Sequence, residues 1–397
     1  MAPIRVAVVG AGILGLAVAR RIAELQPEAQ LVVFEKEDRV GAHQTGHNSG
    51  VVHAGLYYPP GSLKAELCRR GMTLLREFCA AHELAYEECG KLVVAREASE
   101  LGRFDDLEAR ARANQVPGLR RLDRDQLRAI EPEARGVAGL HSPRTAIVDF
   151  AAVTEALAAD VKAAGGSIQL GRELTSVDRT GREVRLVAGG EEHAVDRVVL
   201  CAGLQADRVA RLAGDAIGPA IVPFRGEYLR LVADRAHLVR GLIYPVPDPR
   251  FPFLGVHFTR RIGGAVDIGP NAVLALAREG YDWRTASAGD LVEMLRWSGF
   301  RRLVRRYWRV GVKELHGSLS RRAFLREARR FVPALKDRDV VAAPSGVRAQ
   351  AVDADGSMVD DFRISTLGRV VAVRNAPSPA ATSSLAIAEH IAEQVLT

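Results

Sequence analysis

The run from Ile4 to Glu35 limits what this chain can fold into more than any other stretch. Residues Ile4 to Val9 form an apolar segment too short for a helix and typical of a buried parallel strand. It ends in Gly10-Ala11-Gly12-Ile13-Leu14-Gly15, and a helical pattern continues through Leu25 until Pro27 breaks it. Leu31 to Phe34 supply a second apolar strand, closed by Glu35 and Lys36. In such a unit Gly10 permits the tight turn, Gly12 lets a pyrophosphate approach the backbone, and Gly15 lets the helix pack on the sheet. The N–H groups at the helix start, at Ile13 and Leu14, offer donors and a partial positive charge to a diphosphate. Glu35 suits the hydroxyls of an adenosine ribose and repels a 2′-phosphate. The spacing predicts a Rossmann-like α/β unit that binds a dinucleotide.

Eight residues later the chain turns polar. His43 to Tyr58 (HQTGHNSGVVHAGLYY) carries three histidines and follows neither a helical nor a strand period. Its glycines allow close approach to a ligand, and its side chains can donate, accept and exchange protons. Helical patterns recur at 61–82, 99–131 and 153–164, with a strand at Lys91–Ala95 between the first two. The buried strand Val198–Leu200 ends in Cys201-Ala202-Gly203, a natural point of cofactor contact. Residues 224–270 alternate and read as antiparallel sheet, 284–332 as helices. Short strands at 340–343 and 370–373 and a final helix from about Ser383 close the chain. A dinucleotide-binding unit is thus interrupted twice by insertions, which predicts an active site where the two parts meet.

With 397 residues the chain exceeds one ordinary core. Its net charge of +7 accompanies no nucleic-acid module, so no nucleic-acid partner is expected. Cys68, Cys79, Cys89 and Cys201 lack metal or disulfide spacing and read as reduced thiols, and no metal is expected. No signal peptide or membrane span is read, which predicts a cytoplasmic protein, or one peripheral on the inner face of the cell membrane. The helix around 296–310 bears on that choice. Arg301, Arg302, Arg305, Arg306 and Arg309 share one side, and Trp297, Phe300, Leu303, Val304, Tyr307, Trp308 and Val310 the other. The apolar side suits either a core or a membrane surface.

Together with Gly10–Gly15 and Glu35, several motifs resemble those of the FAD-dependent oxidoreductases of the D-amino-acid oxidase type. They are His43–Tyr58, Pro223–Tyr228 (PFRGEY), Tyr244–Thr259 (YPVPDPRFPFLGVHFT), Gly269–Ala272, Ser345–Gln350 (SGVRAQ) and Asn375–Ser384. Within that family the chain is similar to enzymes that oxidise L-2-hydroxyglutarate to 2-oxoglutarate by hydride transfer from C2 to flavin N5. The resemblance implies FAD, with quinone or oxygen as electron acceptor. It also implies a discontinuous FAD-binding domain from 1–90, 149–220 and 335–397. The substrate domain, an antiparallel sheet with helices, comes from 91–148 and 221–334. An amino acid, glycerol 3-phosphate or another 2-hydroxy acid is the alternative substrate.

For the cofactor, Gln44, Thr45, Asn48, Ser49 and Gly50 are expected along the ring and diphosphate, and Val177 at the adenine through its backbone. Ala202 and Gly203 are expected over the diphosphate, and Gly346, Thr382, Ser383 and Ser384 at the flavin end. Oxidising a 2-hydroxy acid requires a held α-carboxylate and a base for the hydroxyl proton. Arginine gives charge-assisted, bidentate hydrogen bonds, so Arg348 and Arg225 lead as clamp candidates, followed by Arg260. His53 and His257 compete as the base. Tyr244, Tyr57 and Lys313 are reserve donors, and the second carboxylate of a C5 diacid calls for a further cationic subsite.

Overall fold

The computed structural model describes residues 3–250 and 253–396. Phe251 and Pro252 of the 244–259 motif lie outside that range. The strand Arg5–Val9 runs parallel to Gln30–Phe34 on one side and Arg197–Leu200 on the other. Central strands of a parallel sheet are covered on both faces, which explains its unbroken apolar sequence. The full order is 363–367, 370–375, 197–200, 5–9, 30–34, 167–169, antiparallel only at the first pair. Helices Ile13–Leu25, Phe150–Ala163 and Ser384–Leu396 cover one face through Leu16, Ile22, Leu157 and Ile391. A three-stranded antiparallel meander over 174–195 and the helix Ala206–Leu212 cover the other.

The fingerprint turn has the geometry its sequence requires. Gly10 adopts φ +103°, a region that L side chains rarely enter. A Cβ on Gly15 would sit 1.9 Å from the Gly10 carbonyl oxygen, so only glycine lets the helix lie this close to the turn.

A nine-stranded sheet forms the second layer, with 91–95, 242–245, 257–260 and 266–269 as adjacent strands. Leu92, Val94, Ile243, Phe258 and Ile268 on one face pack against Phe324, Leu325 and Ala328 of the helix Arg321–Arg329. Side chains alternate along a strand, so Lys91, Val93, Tyr244 and His257 point the other way. There Val93 and Tyr244 share a core with Val51, Ala54 and Leu56.

Two expectations need correction. The short strand anticipated at 340–343 is the beginning of Val340–Val352, which pairs with Ala220–Leu231 in the nine-stranded sheet. The segment 335–397 therefore divides between the two sheets, because the polar residues of Ser345–Gln350 hide a long antiparallel strand whose partner lies far away in sequence. The stretch 99–131 likewise contains a strand, Arg120–Leu122, between its helices. Its arginines mask the single buried Leu122, which packs beneath the sheet.

Candidate active site

The segment 43–53 crosses from one sheet to the other. Thr45 Oγ1 accepts a hydrogen bond from the Ile13 N–H at 3.1 Å, so the polar segment begins at the start of the first helix. The capping residue of that helix, Gly12, contributes no side chain, and a Cβ there would meet only Thr45 Oγ1, at 3.4 Å. Glu35 is almost buried, with one oxygen accepting from the Ala11 N–H at 2.7 Å and the other from the Glu37 N–H at 3.0 Å. Its carboxylate is thereby fixed beside the glycine turn with lone pairs left for further donors. Gln44 reaches Gly203, which follows Ala202 at the end of the strand 197–200. Asn48 braces the loop, donating to the Thr45 carbonyl and accepting from the Gly50 N–H. For Ser49 and Leu14 only partial burial is apparent.

The chain's later segments meet this loop. His47 Nδ1 lies 3.1 Å from the Ser345 carbonyl, and a Cβ on Gly346 would come within 2.4 Å of the His47 carbonyl oxygen. Thr382 Oγ1 accepts from the His53 N–H and donates to the Val51 carbonyl. The hydroxyls of Ser383 and Ser384, at the start of the last helix, are buried with no hydrogen-bond partner among the described residues. A glycine cradle, an acid at the second strand and orphaned hydroxyls at a helix N-terminus fit a long dinucleotide cofactor.

Two cofactor candidates have other engagements. Lys36 pairs with Glu37 and lies 2.9 Å from Glu279, while His43 bonds Glu37 at 2.8 Å, so these groups tie the loops together. Val177 is nearly buried in the meander, in register with Leu186.

The imidazoles and tyrosines converge where the polar segment faces the nine-stranded sheet. His257 and Tyr244 are buried, with ring centroids 4.0 Å apart. His257 Nδ1 is 2.8 Å from the Gly255 carbonyl, which assigns the proton to Nδ1 and leaves Nε2 an acceptor. Burial, aided by Lys91 and Arg348, lowers its pKa to about 3. His53 Nδ1 is buried without a partner among the described residues, and burial with the Lys91 charge holds this imidazole well below its ordinary pKa. Both rings are therefore neutral near pH 7. Arg348 forms no ion pair with the described residues. The residue is exposed, and its guanidinium lies 4.8 Å from the Phe253 ring centroid.

The structure does not bring Arg225 or Arg260 into this cluster. Arg225 is buried, pairs with Glu227 at 3.0 Å, donates to the Asp282 carbonyl and stacks over Trp283. A guanidinium so committed holds the fold. Arg260 lies 3.8 Å from Glu87, at the far end of its strand from His257. Lys313 falls on the helix Ser298–Leu319 and is exposed. Sequence reasoning missed Lys91: it is fully buried, with Nζ 4.2 Å from the Tyr244 ring and 5.3 Å from that of Tyr57. A lysine opening an apolar strand reads as a solvated end, and only the non-local pairing with 242–245 buries it.

This fold and cradle define a flavin-dependent oxidoreductase, and the chain belongs to the DAO family of FAD dependent oxidoreductases, matched over residues 5–394. It is 45% identical over 401 residues to a mitochondrial L-2-hydroxyglutarate dehydrogenase of Caenorhabditis elegans, covering 98% of this chain and 92% of that protein. Identity to the L-2-hydroxyglutarate dehydrogenase of Escherichia coli K12 is 43% over 394 residues, with coverage of 98% and 92%. Among solved structures, the L-α-glycerophosphate oxidase of Mycoplasma pneumoniae with FAD bound has the same fold. Its TM-score is 0.80 at 19% identity, covering 100% of this chain and 96% of that one. Glycine oxidase from Geobacillus kaustophilus follows at TM-score 0.74 and 18% identity, covering 99% and 95%.

Proposed function

We propose that this protein oxidises L-2-hydroxyglutarate to 2-oxoglutarate. The observation that carries the reading is the similarity, over 98% of the chain, to proteins named for that reaction. The site chemistry supports it. Arg348 binds the α-carboxylate through paired charge-assisted hydrogen bonds, each contributing about 1.5–3 kcal/mol. His53 accepts the hydroxyl proton at Nδ1, and the buried His257 ring, stacked near Tyr244, packs beside it. FAD, when bound, supplies the two-electron acceptor. It is held by Gly10–Gly15, Glu35, the segment 44–50, Ala202–Gly203, Gly346 and Thr382–Ser384.

Anaerobic L-2-hydroxyglutarate is expected to bleach the visible flavin absorbance of the purified protein, while glycine and glycerol 3-phosphate leave it unchanged. A colourless preparation that takes up no FAD on reconstitution overturns the reading.

For the electron acceptor we favour a membrane quinone over oxygen. None of the described helices is long and apolar enough to cross a membrane. The helix Ser298–Leu319, however, buries Phe300 and Leu303 and leaves Val304, Trp308, Val312, Leu315 and Leu319 exposed as one stripe beside Arg301, Arg305 and Arg309. An apolar stripe bordered by arginines suits an anionic lipid surface. The double variant Trp308→Glu/Leu315→Glu is expected to lose sedimentation with phosphatidylglycerol vesicles and to keep activity with a soluble dye acceptor. Undiminished sedimentation removes the helix from that role.

A further inference from the structure

Building on the substrate reading above, we propose that Lys91 selects a dicarboxylic substrate by pairing with the carboxylate farthest from the reacting carbon. His257, Tyr244 and Lys91 stand on three adjacent strands, 257–260, 242–245 and 91–95, and project from the same face of the sheet. Arg348, the other cation acting on both imidazoles, comes from Val340–Val352, beyond the 257 strand in the same sheet. In strand order His257 thus has a cation on either side. A 2-hydroxy diacid carries its reacting carbon next to one carboxylate and its second carboxylate at the opposite end. That arrangement matches a bidentate guanidinium near the reacting hydroxyl and a point charge farther along.

Lys91 is built like a binding group. Its three N–H donors have no acceptor among the described residues, although the side chain is 0% exposed. Tyr57 Oη and His53 Nδ1 are likewise orphaned; the Tyr57 ring centroid lies 5.3 Å from Lys91 Nζ, and the Lys91 charge acts on His53. Lys64 shows how the same fold satisfies a structural lysine: it is nearly as buried, but its Nζ donates to the Asp360 carbonyl at 2.6 Å and to its carboxylate at 2.9 Å. Faces of Tyr57 and Tyr244 attract a cation without accepting its hydrogen bonds. Burial lowers the Lys91 pKa to about 7, against the opposing pull of Cys68 and Cys89, and an arriving carboxylate would restore the charged form. A lysine serving packing alone would be replaced by an apolar side chain at little cost.

The test measures anaerobic flavin reduction by L-2-hydroxyglutarate and by L-2-hydroxybutyrate, which lacks the terminal carboxylate, in the wild-type holoenzyme, Lys91→Met and Lys91→Arg. Lys91→Met is expected to raise the half-saturating L-2-hydroxyglutarate concentration about 10²-fold or more, with a much smaller change for L-2-hydroxybutyrate. Lys91→Arg, which keeps the charge, is expected to keep the preference for the diacid. An unaltered half-saturation in Lys91→Met overturns the assignment. So does an equal loss on both substrates, because the lysine would then act at the reacting hydroxyl, and so does loss of the diacid preference in Lys91→Arg. Failure of the wild-type protein to be reduced by L-2-hydroxyglutarate overturns the substrate reading itself, a result distinct from these.

Discussion

Replacing His53 by Asn is expected to slow anaerobic flavin reduction by L-2-hydroxyglutarate by roughly 10²–10⁴-fold, the range over which a positioned base acts. Asparagine preserves a polar side chain and leaves the backbone N–H on Thr382, so the FAD content should match that of the unmodified protein. His257→Asn is expected to cost less, since that ring packs beside the base without taking the proton. Stopped-flow reduction of the two variants decides the matter: a larger loss in His257→Asn exchanges the roles, and less than a tenfold loss in both removes histidine as the base. The pH profile gives a second reading. Burial and the charges of Lys91, Lys64 and Arg348, together with neighbouring His257, hold His53 below its ordinary value. A base is lost as pH falls through its folded pKa. The acid limb of kcat/KM should therefore lie below about 6.5, the unperturbed histidine value.

The second large effect lies in the glycine turn. Gly15→Ala drives a methyl group into the Gly10 carbonyl, a backbone atom that cannot rotate away. Forcing the helix off the strand is expected to cost about 1–3 kcal/mol of stability and to yield protein without FAD. Gly12→Ala separates folding from binding, because its Cβ meets only the Thr45 hydroxyl at an ordinary contact distance. That variant is expected to melt close to the unmodified protein yet retain less than a tenth of its flavin. Thermal melts and flavin-to-protein ratios check both; full flavin content in Gly12→Ala would show that no diphosphate approaches that backbone.

The turn was legible because its information is local: strand, glycines, helix and acid all lie between Ile4 and Glu35. The motifs that hold His53, Tyr244 and His257 were also visible in the sequence, and the structure stacks the last two with ring centroids 4.0 Å apart. What stayed hidden depends on pairings between distant segments. Lys91 becomes a buried cation only because 91–95 lies parallel to 242–245. Arg225 and Arg348 look equivalent in sequence, yet Glu227 and Asp282 engage one and no carboxylate among the described residues engages the other. The Ser345–Gln350 motif, expected to serve cofactor and substrate alike, lies on a strand of the second sheet.

That strand has a further consequence. Gly346 packs against the polar loop at His47, and Arg348 follows two residues later on the same hydrogen-bonded ribbon. On the function proposed above, the spacing between cofactor and substrate clamp is set by a covalent ruler about 7 Å long. Flexing of the two layers would carry both ends together, so substrate alignment does not have to be rebuilt in each turnover.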